Sequence, residues 1–261
     1  MSRQLFRLIV LLLTVPLLAP PVLAQTPPKT WVDPDTGHRV FRLTDEPSST
    51  GFYFNNNAFS PDGRLMIYTA PDGIHTLDLE TRNTRLLVPN PPHPATDDPM
   101  TRYRSGVHAI VVGHKTPNVF YSQLDPATRI NTLYKANMES GEITKLTALP
   151  QGATGVATIN ADETLAAGTM NDGPAVAPEY GANNVSPTGT PRQQPTGASS
   201  GTLVQPEGKG AMMERRLASR QPLILFTIDL RSGKMTTLLH STDWVNHLLF
   251  SPADPTLLMY C

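Results

Sequence analysis

Short apolar runs bounded by Pro, Asp, Asn and Gly recur along the chain, a pattern of strands joined by tight turns. The clearest stretch opens at Ala58-Phe59-Ser60-Pro61-Asp62-Gly63-Arg64, where Pro-Asp-Gly predicts a turn. Leu65-Met66-Ile67-Tyr68 then reads as a strand and Pro71-Asp72-Gly73 as a second turn. Ile74 to Leu79 and Arg85 to Val88 follow as further strands. With the lead-in through Ala58 and Phe59, this is one four-stranded unit.

The same order returns downstream. Ala109 to Val112, Val119 to Tyr121, Thr132 to Asn137 and, after the turn Ser140-Gly141-Glu142, Ile143 to Leu146 form a second unit. A third opens at Ala157-Thr158-Ile159-Asn160-Ala161-Asp162-Glu163. It resumes as Leu223 to Leu230, the turn Arg231-Ser232-Gly233-Lys234, and Met235 to Leu239. A fourth begins at His247 to Asp254 and continues through Leu257 to Tyr260. The turn-bearing positions Ser60, Gly113, Asn160 and Ser251 are spaced by 53, 47 and 91 residues, the last being one repeat plus an insertion of about 44. That period predicts an all-β chain, a β-propeller of four-stranded blades with about three and a half blades present. Such a number does not close a ring, so the repeats predict a partial propeller in a truncated chain.

The insertion, at about residues 171–212, is rich in Gly, Pro, Ser, Thr and Gln and has almost no apolar periodicity, which predicts a flexible loop. A lid over a binding face is its functional alternative. Residues 211–220 carry Met212, Met213 and Leu217 with Arg215, Arg216 and Arg220, and read as a short helix entering the next strand.

Composition supports the all-β reading: 26 prolines and 18 glycines favour many short connections over long helices. Lys and Arg number 21 against 22 Asp and Glu, a balance that gives no reason to expect a nucleic-acid partner. Cys261 is the single cysteine, so no intramolecular disulfide is expected. At the amino terminus, Arg3 and Arg7 precede an apolar run from Leu8 to Leu18, and Val22-Leu23-Ala24 precede Gln25. This is the pattern of a cleaved signal peptide over residues 1–24, with a run of about 11 residues that is too short to span a bilayer. The mature part, residues 25–261, is expected to be periplasmic or secreted without stable membrane insertion.

Candidate chemistry concentrates at Ser241-Thr242-Asp243-Trp244-Val245-Asn246-His247, between the outer strand of one unit and the first strand of the next. His247 stands at the mouth of the expected channel, where a neutral imidazole can act as a general base. A histidine that only closes a turn by hydrogen bonds is the alternative. Tyr53 and Asn55, within Phe52-Tyr53-Phe54-Asn55-Asn56-Asn57, could present aromatic and amide groups to a sugar, or pack between sheets. His75, His93, His108, His114 and His240 show no compact metal-ligand spacing.

The run Asp243-Trp244-Val245-Asn246-His247, followed by Phe250-Ser251-Pro252-Ala253-Asp254-Pro255-Thr256-Leu257-Leu258-Met259-Tyr260-Cys261, resembles the middle of the oligogalacturonate lyase family. There a Trp-x-x-His segment leads into a strand ending in Cys-His-Glu-Gly-Pro. The resemblance extends upstream through Leu225-Phe226-Thr227-Ile228-Asp229, Gly233 and His240. It reaches Thr36 to Thr44 and Tyr53-Phe54 in the amino-terminal part, leaving out only the insertion. It implies a seven-bladed propeller that cleaves pectic oligogalacturonides by β-elimination.

By that resemblance His247 is the catalytic base, and a divalent cation, manganese, is bound by histidines and a glutamine beyond Cys261, leaving no metal ligand among these residues. The family's assisting arginine falls near Ile224, which cannot serve. Arg220 is the nearest substitute, with a surface ion pair as its alternative role, and Tyr53, Asn55 and Asn246 are candidate substrate contacts. A non-catalytic exported propeller acting as a protein-binding platform, and an inactive remnant, remain as other readings. The amino-terminal pattern gives a direct expectation: Edman sequencing of the exported protein should begin at Gln25, and recovery of residues 1–24 on the mature chain would replace cleavage by retention.

Overall fold

The computed structural model describes residues 28–46, 48–92, 106–125, 127–174 and 209–261, in two compact units that divide after Leu43. In the first, β1 (Thr30–Val32) pairs antiparallel with β2 (Arg39–Phe41), Trp31 facing Val40. Among its described residues the second unit is all-β except for one helix, and its strands form successive antiparallel sheets in sequence order.

The first sheet contains β3 (Leu65–Ala70), β4 (Gly73–Asp78) and β5 (Thr84–Pro89). The second is the meander β6 (Val107–Val112), β7 (Asn118–Leu124), β8 (Asn131–Asn137) and β9 (Ile143–Ala148). The third comprises β10 (Ala153–Ile159), β11 (Leu165–Asn171), β12 (Leu223–Asp229) and β13 (Met235–Ser241). Between β11 and β12 lies helix α1 (Lys209–Ser219), and β14 (Leu249–Phe250) pairs with β15 (Leu258–Met259) at the end. The interior of the expected insertion, residues 175–208, lies outside the described residues.

The four turn-bearing positions of the repeat make one shared hydrogen bond. The backbone N–H groups of Ser60, Gly113, Asn160 and Ser251 donate to the carbonyls of Leu65, Asn118, Leu165 and Leu257 at 2.8–2.9 Å. A second corner recurs where strands turn back. Asp33, Asp78, Asp125, Asn137 and Asp229 each accept two backbone N–H bonds on Oδ1, from the residues two and three positions on. The fifth residue of the corner is left-handed in every copy: Gly37, Gly141 and Gly233 at φ 70°, 79° and 72°, Arg82 and Arg129 at 62° and 60°. Glycine adopts this conformation without the Cβ penalty, while each arginine bears it.

The first unit of the repeat departs from the four-stranded expectation. Apart from the Ser60 turn, its lead-in pairs with β3 through isolated bridges, Thr50 to Thr69 and Phe59 to Met66. The residues between them turn away because their hydrogen bonds go elsewhere. Asn56 Nδ2 donates to the Ile110 carbonyl at 3.1 Å, and Asn57 Nδ2 to that of Val112 at 3.1 Å, both on β6.

Apolar faces of consecutive sheets bury each other. Ile67, Ile74 and Val88 pack with Val112, Val119 and Ala136 between the first and second sheets. Ile110, Phe120 and Leu133 pack with Val156, Phe226 and Ile228 between the second and third. Leu223 and Leu225 meet Val245, Leu248 and Phe250 at the fourth repeat. Phe226 is wholly buried because Gly168 leaves it room: a Cβ there would stand 3.0 Å from its ring and 2.3 Å from the Gly155 carbonyl. Truncating such an aromatic costs about 3–5 kcal/mol.

Polar clasps add to the same joints. Arg64 bridges Asp78 and Glu139, and Glu163 Oε1 accepts the Lys115 and Thr116 N–H groups at 2.9 and 2.8 Å.

The recurring corner makes stability depend on pH in a defined direction. Backbone N–H bonds from Thr81, Thr128 and Ser232 are the leading influence holding the Asp78, Asp125 and Asp229 carboxyls below their ordinary value of 3.8. Because the folded value is depressed, the contribution is fully present above 3.8 and is lost as pH falls through the lower folded values. Substituting all three by Asn, the residue the corner at position 137 already uses, should flatten the acid limb of the unfolding midpoint measured from pH 5 to 2. An unchanged slope would remove the corners as its source.

Candidate functional site

A cleft of about 1280 Å³ opens over the second and third sheets. Its walls come from the loop at residues 53–56, β6, the corner at 128–131, the connection at 148–153, β10, and the entry into β14 at His247 and Leu248. The diversion of the 51–57 segment away from β3 is what brings Tyr53 and Asn55 to this cleft. Tyr53 is 60% exposed and Phe54 87%, with ring centroids 4.6 Å apart. These aromatics therefore do not pack between sheets.

His247 stands on the opposite wall at φ 47°, a left-handed conformation uncommon for a residue with a Cβ. Its ring lies parallel to that of Tyr53, 8° between planes and 6.1 Å between centroids. His247 Nδ1 is 3.1 Å from Cys261 Sγ. The backbone brings them together: Asn246 donates to the Cys261 carbonyl at 2.7 Å, and Cys261 donates back to Asn246 at 3.0 Å. When Nδ1 carries the hydrogen and donates it to sulfur, Nε2 is left as a proton acceptor.

The other residues singled out in the sequence lie apart. Asn246 is half-buried and contributes its backbone to the Cys261 pairing; it does not line the cleft. Arg220 Nη1 is ion-paired with Asp243 Oδ1 at 2.5 Å, outside the cleft walls. Ile224 is buried in β12.

His75 and His240 have local partners. His75 Nε2 meets Asp72 Oδ1 at 2.8 Å, and its ring stacks on Tyr68 at 5.0 Å. Tyr68 in turn donates to Glu46 Oε1, and burial, reinforced by that carboxylate, pushes its phenol up to about 12. His240 Nδ1 is 3.0 Å from Asp172 Oδ2. His93 lies outside the described residues. Among the described residues no group of three or more His, Cys, Asp or Glu is placed to hold a metal ion, so these residues do not fit a manganese site.

Sequence reasoning missed two parts of the cleft. One is its floor in β10, where a bulge between Ala153 and Gly155 disrupts the alternation. The other is Arg129, which joins the wall from a corner whose sequence, Asp125 to Ile130, reads only as a turn. The Asp-x-x-Thr spacing shared with the corners at Asp33 and Asp78, with Ser in place of Thr at the other two, was the available signal.

No family model matches the sequence, and no curated protein matches it. Solved structures do. A structure described as oligogalacturonate lyase in complex with manganese aligns at a TM-score of 0.59 with 19% identity, covering 89% of this chain and 52% of its own. An oligogalacturonate lyase from Vibrio parahaemolyticus aligns at 0.58 with 19% identity, covering 89% and 51%. The chain thus resembles these lyases in fold and spans about half their length. No helix among the described residues is long and apolar enough to cross a membrane.

The conformation of His247 has a measurable cost. A left-handed residue with a Cβ sacrifices about 1–2 kcal/mol, which glycine would recover. His247→Gly should therefore keep or raise the urea unfolding midpoint. A marked fall would mean instead that the imidazole contacts with Tyr53 and Cys261 hold this segment in place.

Proposed function

We propose that this chain is part of an exported β-propeller enzyme, seven-bladed when whole, that cleaves pectic oligogalacturonides by β-elimination with His247 as general base. The observation that carries the reading is the placement of His247. It is held left-handed at the edge of a cleft, parallel to an exposed tyrosine, with Nδ1 occupied by a sulfur partner. The fold likeness to oligogalacturonate lyases supports the substrate class, and the charge, apolar and small-residue order of residues 1–24 supports a periplasmic or secreted location.

In this reaction the base removes the proton on C5, beside the uronate carboxylate. The electron pair left behind forms the C4–C5 double bond, and the bond from C4 to the glycosidic oxygen breaks. Nε2 of His247 receives the proton, while Cys261 and the Asn246 backbone keep the ring in orientation. Tyr53 offers a face for a sugar ring, and Asn55 an amide for its hydroxyls. Asn246 serves through its backbone, and Arg220 through Asp243, on the connection that leads to His247.

A carbon acid of this kind needs positive charge near its carboxylate as the enolate-like transition state develops. A divalent cation supplies that charge when bound. The manganese named with one of the similar structures enters the proposal only as an ion held outside these residues.

The test is turnover of oligogalacturonate by the longest product of the coding region, supplied with manganese and followed by absorbance of the unsaturated product. His247→Ala should lower turnover by about a hundredfold or more, the usual range for loss of a general base. An unchanged rate removes His247 from the mechanism, and no absorbance change with the parent protein removes the lyase reading.

A further inference from the structure

We propose that Arg129 selects acidic sugars in this cleft, taking a uronate carboxylate on its guanidinium, while Asn55 and Asn131 receive hydroxyls of the same oligomer. The inference rests on the oligogalacturonide reading above and adds a residue to it.

The charge of the cleft points to an anion. Among the described residues its walls contain no Asp, Glu or Lys, and Arg129 is the one permanent cation, accompanied by two imidazoles, His108 and His247. The volume of about 1280 Å³ exceeds the roughly 300–1,000 Å³ of ordinary small-ligand pockets, which suits an oligomer better than a single ring. Arg129 is exposed, and among the described residues its guanidinium has no hydrogen-bond or ion-pair partner. A planar guanidinium meets a carboxylate through two parallel hydrogen bonds, which gives direction as well as affinity. Arg220, by contrast, is engaged by Asp243.

The fold itself does not require this arginine. The corner at 125–130 is closed by backbone bonds and by Asp125, and three of its four counterparts place glycine where Arg129 stands. The side chain of Arg129 is thus free of any part in closing the turn.

Neutral acceptors sit in the same walls. Asn55 Oδ1 and Asn131 Oδ1 are buried atoms without a hydrogen-bond partner, and both residues line the cleft. A buried acceptor left unmatched is costly, and the amide torsion of asparagine is soft, so each oxygen can turn to accept a sugar hydroxyl.

Binding to the 261-residue chain tests this without any need for turnover, using galacturonic acid trimer and the neutral galactose trimer in calorimetric titrations. The parent chain should prefer the acidic trimer. Arg129→Gln and Arg129→Gly should lose that preference by about tenfold or more, as expected for a charge-assisted pair, with neutral-trimer affinity unchanged. The glycine variant, matching the other corners, guards against misfolding. His247→Ala should keep the preference. Equal preference in the parent and in Arg129→Gln, or no acidic preference in the parent, overturns the proposal. Loss of preference in the Arg129 variants without cleavage by the parent leaves it standing and removes only the lyase reading.

Discussion

A strand meander with apolar side chains on both faces cannot bury either face by itself. Each sheet here depends on its neighbour for that burial, and most other features of the second unit follow from this dependence. Ile67 and Val112 are fully buried only because the first and second sheets meet, and Phe120 and Phe226 only because the second and third do. The polar clasps of Arg64 and Glu163 lie at these same joints, where they fix the register of one sheet against the next.

The cleft is a consequence of how the joints are made. Where Asn56 and Asn57 give their amides to β6, the lead-in strand separates from β3, and Tyr53 and Phe54 are left outside the core while Phe52 packs against it. Where Leu248 and Phe250 enter the core of the fourth repeat, His247 beside them is forced into a conformation that turns its ring toward Tyr53. The residues that would do chemistry are thus those that packing displaced.

The sequence made the repeats legible because their turns use side chains with specific conformational roles. Pro61-Asp62-Gly63 and Ser232-Gly233 could be read without knowledge of the fold. His247, Tyr53 and Asn55 were also within reach, the first through its Trp-x-x-His setting. The β11 strand was not, since Ala166, Ala167 and Gly168 give no strong alternation, and their smallness has meaning only once Phe226 is seen against them. Arg129 was equally hidden. Its role depends on a wall assembled from segments far apart in sequence, which no local pattern records.

The five recurring corners share one backbone, yet two of them hold arginine at the left-handed position where the other three hold glycine. Glycine and arginine codons differ by a single base, so a corner of this kind can acquire a long charged side chain in one mutational step. Because the hydrogen bonds that close the corner come from the main chain and the Asp or Asn, they survive such a change wherever there is room for a side chain; at Gly233 there is not, since a Cβ would stand 2.8 Å from Thr147 Oγ1. Such corners are in this sense sockets through which lineages built on these repeats can try new recognition chemistry one residue at a time.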